Sequence, residues 1–549
     1  NMAGGLLNLI AHGNQNIILN GNPTKTFFKT TYAKYTNFGM QKFRIDQIGQ
    51  KTLQLSQSTK FSFKIPRHAD LLMDCYLVVN LPNIYSPVIQ DISNDIINYH
   101  PYNFKWIKNL GSQMIKQVEF TIGGHIIQSY TGNYIQNIVE RDFDLNKKEL
   151  FDKMTGNVSS LNNPSFKYNG NYPNAYKSDL SNNDIEPSIF GRTLYIPINS
   201  WFSLSSKMAF PLISLQYSEL VINFELRPIH ELFVIRDIDK SIISYDDANY
   251  IYPLLSDVKY QFKRFINPPP DISLQYNTDI YDNLPSNYNR FDVHLNCTYC
   301  FLDNDEVAYF AKNEQDYLIK EVYEKQYDIQ NTTSGKLKIE SYGLVSSWMW
   351  YIQRSDVNLR NEWSNYTNYP YENVKPHKLL SKSNDNFFYT GYLPDRHEDY
   401  SIENILEKFA IICDGKYREN EFDSGIYNYI EKYTRTHGNA KDGLYCYNFC
   451  IDTNPNLVQP SGSFNTNKFK TIEFEYKLMS RHDNSPLQPF DPTGEKVRIV
   501  CDGDSNSDIL ISVNDATSLY KYKYYFYLIE ERFNVLKFSS GHADLVYSR

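Results

Sequence analysis

Apolar and polar residues alternate along FPLISLQYSELVINFEL, Phe210 to Leu226. Ile213, Leu215 and Tyr217 share one side of an extended backbone, and Leu220, Ile222, Phe224 and Leu226 continue the period of two with the phase shifted by one. A single slip predicts a strand with a bulge near Ser218 and Glu219. The pattern returns in QPSGSFNTNKFKTIEFEYKL, Gln459 to Leu478. Pro211 stands 13 positions before Phe224, and Pro460 stands 14 before Phe474, so each half carries a proline turn feeding a long strand. One β-domain built twice is the expectation.

Further strands are predicted at Thr52 to Ile65, Leu71 to Leu81, Met114 to Ile122, Thr193 to Ile198 and Val258 to Ile266, each rich in Val, Ile, Phe, Tyr and Thr and bounded by turn residues. The second half opens with a strand at Phe291 to Phe301 and continues at Leu337 to Gln353, Tyr445 to Ile451, Lys468 to Leu478, Lys496 to Cys501 and Tyr520 to Ile529. Asp303 to Ala311 reads as a short helix with acidic residues in its first turn. Many strands with few helices predict an all-β sandwich or barrel. Asn133 to Gly191 and Arg354 to Gly443 are long, polar, Asn-rich connections, expected on one common face. Pro268-Pro269-Pro270 forms a stiff spacer without amide donors. The expected division is an N-terminal arm over 1–50, a first domain over 51–267, a linker over 268–285 and a second domain over 286–549.

At 549 residues, 41% of them hydrophobic and including 46 Tyr, 33 Phe and 5 Trp, the chain has material for two packed cores. A net charge of −8 argues against a surface built to neutralise phosphates, so no direct nucleic-acid contact is expected. No apolar run is long enough to cross a bilayer as a helix. Met2 to Ile10 has no basic leader, and Asn8 interrupts its apolar patch, which makes it a poor signal peptide. Seven cysteines without framework spacing fit a reduced compartment and predict no disulfides.

Candidate chemistry is sparse. His294, Cys297 and Cys300 are zinc-ligand types, but an extended backbone puts Cys297 opposite the other two, and Cys446 and Cys450 lie in another strand. Asp502 to Asp508 begins like a calcium loop, yet Ser507 and Val513 occupy its glycine and glutamate positions. His397 to Ser401 lacks the second histidine of a zinc protease, and neither a nucleophile elbow nor a phosphate loop occurs. Neither metal, cofactor nor catalysis is expected. Asn157, Asn296, Asn331 and Asn365 match the N-glycosylation acceptor pattern.

Four stretches in order carry a family resemblance: MAGGLLNLIAHGNQNIILNGNP with Thr26 to Lys29 and Tyr35 to Phe38; Phe210 to Tyr217; Gln459 to Asn465; and Phe533 to Lys537 with Ser539, Gly541, Leu545, Tyr547 and Ser548. The chain resembles the double jelly-roll major capsid proteins of nucleocytoplasmic large DNA viruses along its whole length. It carries Asn467-Lys468 where that family commonly has Ser-Arg, which keeps a cation and loses arginine's bidentate fork.

The resemblance implies two consecutive eight-stranded antiparallel jelly rolls with long loop insertions and a few short helices. It implies a homotrimer with pseudo-hexagonal outline tiling an icosahedral outer shell around an inner membrane, made in the host cytoplasm. Minor capsid and penton proteins are the implied partners, with inner membrane proteins reached through the arm. Pro211, Gln216 and Tyr217, and then Pro460, Ser461 and Gly462, become the signature residues for turn formation and strand registration. Asn157 and Asn365, expected to be exposed in long loops, are the favoured glycan acceptors over Asn331 and the strand residue Asn296. The rival reading is a two-module β-sandwich that binds or cleaves glycans, because jelly rolls also host lectins and carbohydrases.

Overall fold

The structure is a computed structural model that describes residues 4–49, 52–93, 96–168, 172–173, 175–176, 185–236, 250–251, 261–269, 291–329, 333–355, 357–368, 388–389, 404–479, 496–499, 510–512 and 523–547. Eight strands build the first module: β1 (Phe38–Asp46), β2 (Thr59–Lys64), β3 (Leu71–Asn80), β4 (Ile115–Ile122), β5 (His125–Tyr130), β6 (Thr193–Pro197), β7 (Leu220–Leu226) and β8 (Val293–Leu302). Eight more build the second: β9 (Gln315–Ile329), β10 (Ser334–Ile339), β11 (Leu344–Arg354), β12 (Leu406–Cys413), β13 (Lys416–Asp423), β14 (Leu444–Asn448), β15 (Ile472–Leu478) and β16 (Tyr524–Ser539). The first module pairs them as β1-β8-β3-β6 and β2-β7-β4-β5; the second repeats this as β9-β16-β11-β14 and β10-β15-β12-β13. Adding eight to every label maps one module onto the other. Each is a four-on-four antiparallel jelly roll.

Alternation makes the cores. β7 buries Leu220, Ile222, Phe224 and Leu226 and leaves the residues between them half-exposed, with Phe63 meeting Phe224 edge-on at 5.8 Å between ring centroids. In the second module Trp350 stacks on Phe409 at 4.5 Å, with Phe474 and Phe526 packed around them.

The phase slip in the opening stretch is a corner and not a bulge. Phe210–Pro211 pairs with Leu71–Leu72 at the edge of one sheet, Leu212–Ser214 makes a single 3-10 turn, and β7 continues in the other sheet. Proline has no amide to extend the first ladder, so the chain leaves it there. In the second module Phe464–Asn465 pairs with Leu344–Val345 before the turn Thr466–Lys468 and β15. Pro211 therefore corresponds to Asn465, and exposed Pro460 lies upstream of the corner.

Other expectations are corrected. The strand expected to open the second half is β8, inserted between β1 and β3 of the first module; the chain changes module after it. The arm ends at residue 37, because Phe38–Asp46 pairs along its whole length with β8. Phe262–Ile266, expected as the end of a strand, is a helical turn. Within the long connection from Asn133 lie two helices, α1 (Gly132–Asp142) and α2 (Leu145–Thr155). The connection from Arg354 to Gly443 contains β12 and β13. The helix after Asp303, α3 (Asn304–Lys312), forms with the Asp303 carboxylate accepting from the Asn304 amide at its cap. Most of the 268–285 linker, the Asp502 to Asp508 turn, His397 to Ser401 and Asn331 lie outside the described residues.

Antiparallel neighbours send the connections β3–β4, β5–β6 and β7–β8 out of one end of the module. There Phe233–Arg236 from the β7–β8 connection pairs with Asn103–Trp106 from the β3–β4 connection. The second module does the same: Phe388–Tyr389 pairs with Lys496–Ile499 across the equivalent two connections. Short turns close the other end, at residues 65–70 and Gly123-Gly124, and the arm enters β1 from that side.

Candidate functional site

The described residues with the densest polar chemistry lie where the modules meet, around α1. This helix follows β5 of the first module, yet all of its residues but Asn133 are buried. Ile135, Ile138 and Val139 belong to the larger core cluster. That cluster also takes in Met349, Tyr351 and Ile529 of the second module, while Trp348, Trp350 and Leu528 face the second module's own core. The β9-β16-β11-β14 sheet is thus covered on both faces, and α1 supplies part of the second cover.

Each turn of α1 is pinned. At its start Thr131 donates its amide to Glu324 Oε2 (2.7 Å) and its hydroxyl to Oε1 (3.0 Å), which sets a carboxylate from β9 at the positive end of the helix. Burial pushes the Glu324 carboxyl up to about 7 against these hydrogen bonds. A Cβ on Gly132 would fall 1.9 Å from the Ser112 carbonyl oxygen, so only glycine fits. Asn133 donates to the Tyr351 hydroxyl (2.9 Å), and Asn137 accepts from the Tyr366 hydroxyl (3.1 Å).

At the end of α1 sits Arg141, fully buried. Its guanidinium donates to both carboxylate oxygens of Glu531 on β16 (3.0 and 2.9 Å), to Asp142 Oδ2 (2.6 and 3.0 Å) and to Ser347 Oγ on β11 (3.0 Å). Tyr134 and Ser347 donate to Glu531 as well, and Thr453 donates to Asp142. Burial alone would raise the Glu531 carboxyl, but Arg141, Lys320 and Ser347 hold it below its ordinary value. Burial wins at Asp142, whose carboxyl is raised although Arg141 pulls it down. Both oxygens of Glu531 accept from Arg141 Nη2, and Tyr134 and Ser347 add to them, so the Glu531 carboxyl falls where that of Asp142 rises. The Arg141 carbonyl accepts from the Gly438 amide at 2.8 Å; a Cβ there would lie 2.5 Å from that oxygen.

A second tie closes the arm end. The Tyr217 amide donates to the Gly541 carbonyl (3.1 Å), and Ser218 Oγ shares a hydrogen bond with His542 Nδ1 (2.9 Å). Gly541 has φ +80°, and a Cβ on it would lie 2.7 Å from the Tyr217 ring. Arg67 donates to the carbonyls of Gln216 (3.1 Å) and Ser218 (3.0 Å). Gln216 and Tyr217 are therefore brought to the module junction, while buried Pro211 sits at the corner before it. Ser461 and Gly462 lie elsewhere, in the turn after β14. There Ser461 Oγ donates to the Asp452 carbonyl (2.9 Å), and Gly462 at φ +142° passes 2.8 Å from the Phe449 carbonyl oxygen, measured from a would-be Cβ.

A cavity of about 620 Å³ opens beside the helix start, lined by Lys116, Arg227, Glu324, Trp363 and Tyr527 among others. Its cations are engaged: Lys116 with Glu225 (2.7 Å), Arg227 with Glu231 (3.2 Å) and the Trp363 ring (3.9 Å), Lys325 with Glu340, and Arg354 with the Asn368 carbonyl (2.5 Å). Among the described residues no group of three or more His, Cys, Asp or Glu is placed to share a metal ion. His294 pairs with Asp292 (3.1 Å), whereas Cys297 points into the core beside Cys75.

Residues 26–254 match the family model described as the major capsid protein N-terminus, and residues 306–491 match that of the large eukaryotic DNA virus major capsid protein. The chain belongs to this capsid protein family. It is 25% identical over 539 residues to probable capsid protein 4 of Acanthamoeba polyphaga mimivirus, covering 88% of this chain and 94% of the relative. It is 27% identical over 368 residues to the major capsid protein of Phaeocystis pouchetii virus, covering 65% of this chain and 60% of the relative. The solved quasi-atomic model of the PBCV-1 virus capsid superposes with a TM-score of 0.60 at 17% identity, covering 95% of this chain and all of that one. That likeness shows the fold, a double jelly roll.

In this capsid protein the expected exposure of two glycan candidates is overturned. Asn365 is 1% exposed, and its carboxamide donates to Glu362 and accepts from the Thr367 amide and hydroxyl (3.0, 2.9 and 2.8 Å). Asn157 is half-buried and bonded to Asp152, Asn109 and Asn162. Asn296 lies mid-strand in β8, paired with Arg44 and Tyr76. Arg141, Asp142, Glu324 and Glu531 were missed by sequence reading, since single charged residues in polar segments look solvated. The available signal was a pair of adjacent carboxylates, Glu530-Glu531, directly after the apolar run Tyr524 to Ile529.

Proposed function

We propose that the chain is a non-enzymatic building block of a virion's outer shell, assembling as a homotrimer of pseudo-hexagonal outline whose copies tile an icosahedral lattice around an inner membrane. The observation that carries this reading is the repeated strand order joined by a buried seam: one chain supplies two like blocks, and three chains supply six. Many modest contacts between such tiles add up by multivalency and still allow correction during growth.

The arm supports a role on the side opposite the long connections. Phe27, Phe28, Tyr32 and Tyr35 are each at least 84% exposed, and Leu9, Ile18 and Leu19 are exposed with them, which is apolar surface that an assembled shell would cover. Its covers in this reading are neighbouring capsomers, minor capsid and penton proteins, and inner membrane proteins. The acidic net charge fits a subunit that does not touch the genome. Pro211 sets the corner, Gln216 and Tyr217 register the junction, and Pro460, Ser461 and Gly462 shape the turn after β14, upstream of the second module's corner. Assembly takes place in the host cytoplasm, any glycan on Asn157, Asn296 or Asn365 is attached before those segments fold, and Asn331 stands as a further acceptor.

Size-exclusion chromatography with light scattering tests the trimer. The expected mass is three times that of the 64.4 kDa chain at micromolar concentration; a stable mass of one chain contradicts it.

A further inference from the structure

Cys75 on β3 and Cys297 on β8 face each other directly in the antiparallel register. Their sulfurs are 3.0 Å apart, and both residues are buried, at 1% and 0% exposure. The Cys75 carbonyl accepts from the Ile198 amide on the opposite side of β3. In an antiparallel sheet a residue's amide and carbonyl point the same way, so towards β8 Cys75 occupies a non-hydrogen-bonded position. Such facing pairs have Cα atoms about 4.5 Å apart and side chains closer than in the alternate positions, which falls within the span a disulfide bridges. Both are free thiols in the structure.

We infer that Cys75 and Cys297 form a redox-dependent covalent staple: dithiol in the reducing cell interior, disulfide once the shell leaves it. The step is thiol–disulfide exchange with a small-molecule disulfide of the glutathione class. One cysteine thiolate attacks a sulfur of the oxidant, forming a mixed disulfide and expelling one thiolate. The second cysteine, deprotonated, displaces the other oxidant sulfur as the protein S–S bond forms. Two cysteine thiols are oxidised, one oxidant disulfide is reduced to two thiols, and the two protons lost by the cysteines end on them. Both sulfurs are shut away from a solution oxidant, and burial pushes the Cys75 thiol up, so the exchange is gated by local opening of β8. The product joins residues far apart in sequence and fixes the last strand of the first module to its centre, a cross-link that constrains the unfolded chain.

The test is to hold the purified full-length chain in oxidised glutathione, with and without denaturant just below its unfolding midpoint, where strand opening exposes the pair. Residual thiols are then alkylated, and the product is digested without reductant for mass spectrometry. The expected result is a peptide pair joined through Cys75 and Cys297, a product about 2 Da lighter than the dithiol form, and a higher melting temperature than the reduced protein. Cys75→Ala and Cys297→Ala should each lose the rise, and Cys446→Ala should keep it. Recovery of both cysteines as alkylated thiols in the pre-opened sample, or cross-links to other cysteines only, overturns the inference. A rise that persists in Cys75→Ala overturns it as well.

Discussion

At the scale of single residues the seam turns on charges that cannot reach water. Among the described residues Arg141 is the cation in direct contact with both Asp142 and Glu531, and removing it leaves two buried carboxylates without that partner. Arg141→Met is therefore expected to destabilise the chain by about 3–5 kcal/mol, read by urea unfolding. The double change with Glu531→Gln should recover part of that loss, because the uncompensated charge is gone. Glu324 behaves differently, since among the described residues it has hydrogen bonds from Thr131 and no ion-pair partner. Its carboxyl lies near 7 in the fold against an ordinary 4.5. A raised folded value means its contribution is fully present below about 4.5 and is lost as pH rises through about 7. Melting temperature should fall over that window, by an amount worth on the order of 2–3 kcal/mol. Glu324→Gln should flatten this part of the profile; an unchanged slope would place the titration elsewhere. Gly438→Ala, which drives a methyl against the Arg141 carbonyl, should cost about 1–3 kcal/mol by the same unfolding measurement.

At the scale of elements, legibility followed how many faces of each strand meet solvent. β7 and β15 each show one face to the core and one outward, so LVINFEL and IEFEYKL read as strands. β11, LVSSWMWYIQR, is buried along nearly its whole length because both faces are packed, yet its aromatic run still marks a strand. β9, QDYLIKEVYEKQYDI, was missed, because it carries buried carboxylates on both faces: Glu324 reaches Thr131 in the seam, and Glu321 on the other face accepts from Asn534. β12 and β13 were lost in a segment dominated by Asn, Asp and Tyr, and α1 was hidden because its polar side chains serve a second module the local sequence does not reveal. The duplication was legible, though from a proline spacing that is not the corresponding feature: Pro211 matches Asn465 in position. Gln216 and Tyr217 lie just after the corner, and the link of Tyr217 to Gly541 and His542 joins segments too distant for pattern to show. Hydrogen exchange should rank these elements: slowest in α1, β11 and β16, which the two cores share, and fastest across residues 4–37. Equal protection of the arm and α1 would mean the arm packs on the isolated chain.

At the scale of the molecule, two sandwiches with identical strand order are fused through α1 and the Tyr217–Gly541 tie, so that the chain acts as one block. Long connections gather at one end, and an apolar arm leaves from the other, giving the block an outside and an inside. In the proposed shell, shape and self-association are what such a block contributes. In the proposed assembly, deleting residues 2–37 should leave the light-scattering mass at three of the shortened chains and reduce the ability to build larger arrays, since β1 and the seam remain whole. The central claim is tested most directly by electron micrographs of the purified chain. Class averages should show a three-fold particle with six lobes of similar size, paired at constant spacing. Isolated two-lobed particles with variable spacing between the lobes would contradict the account.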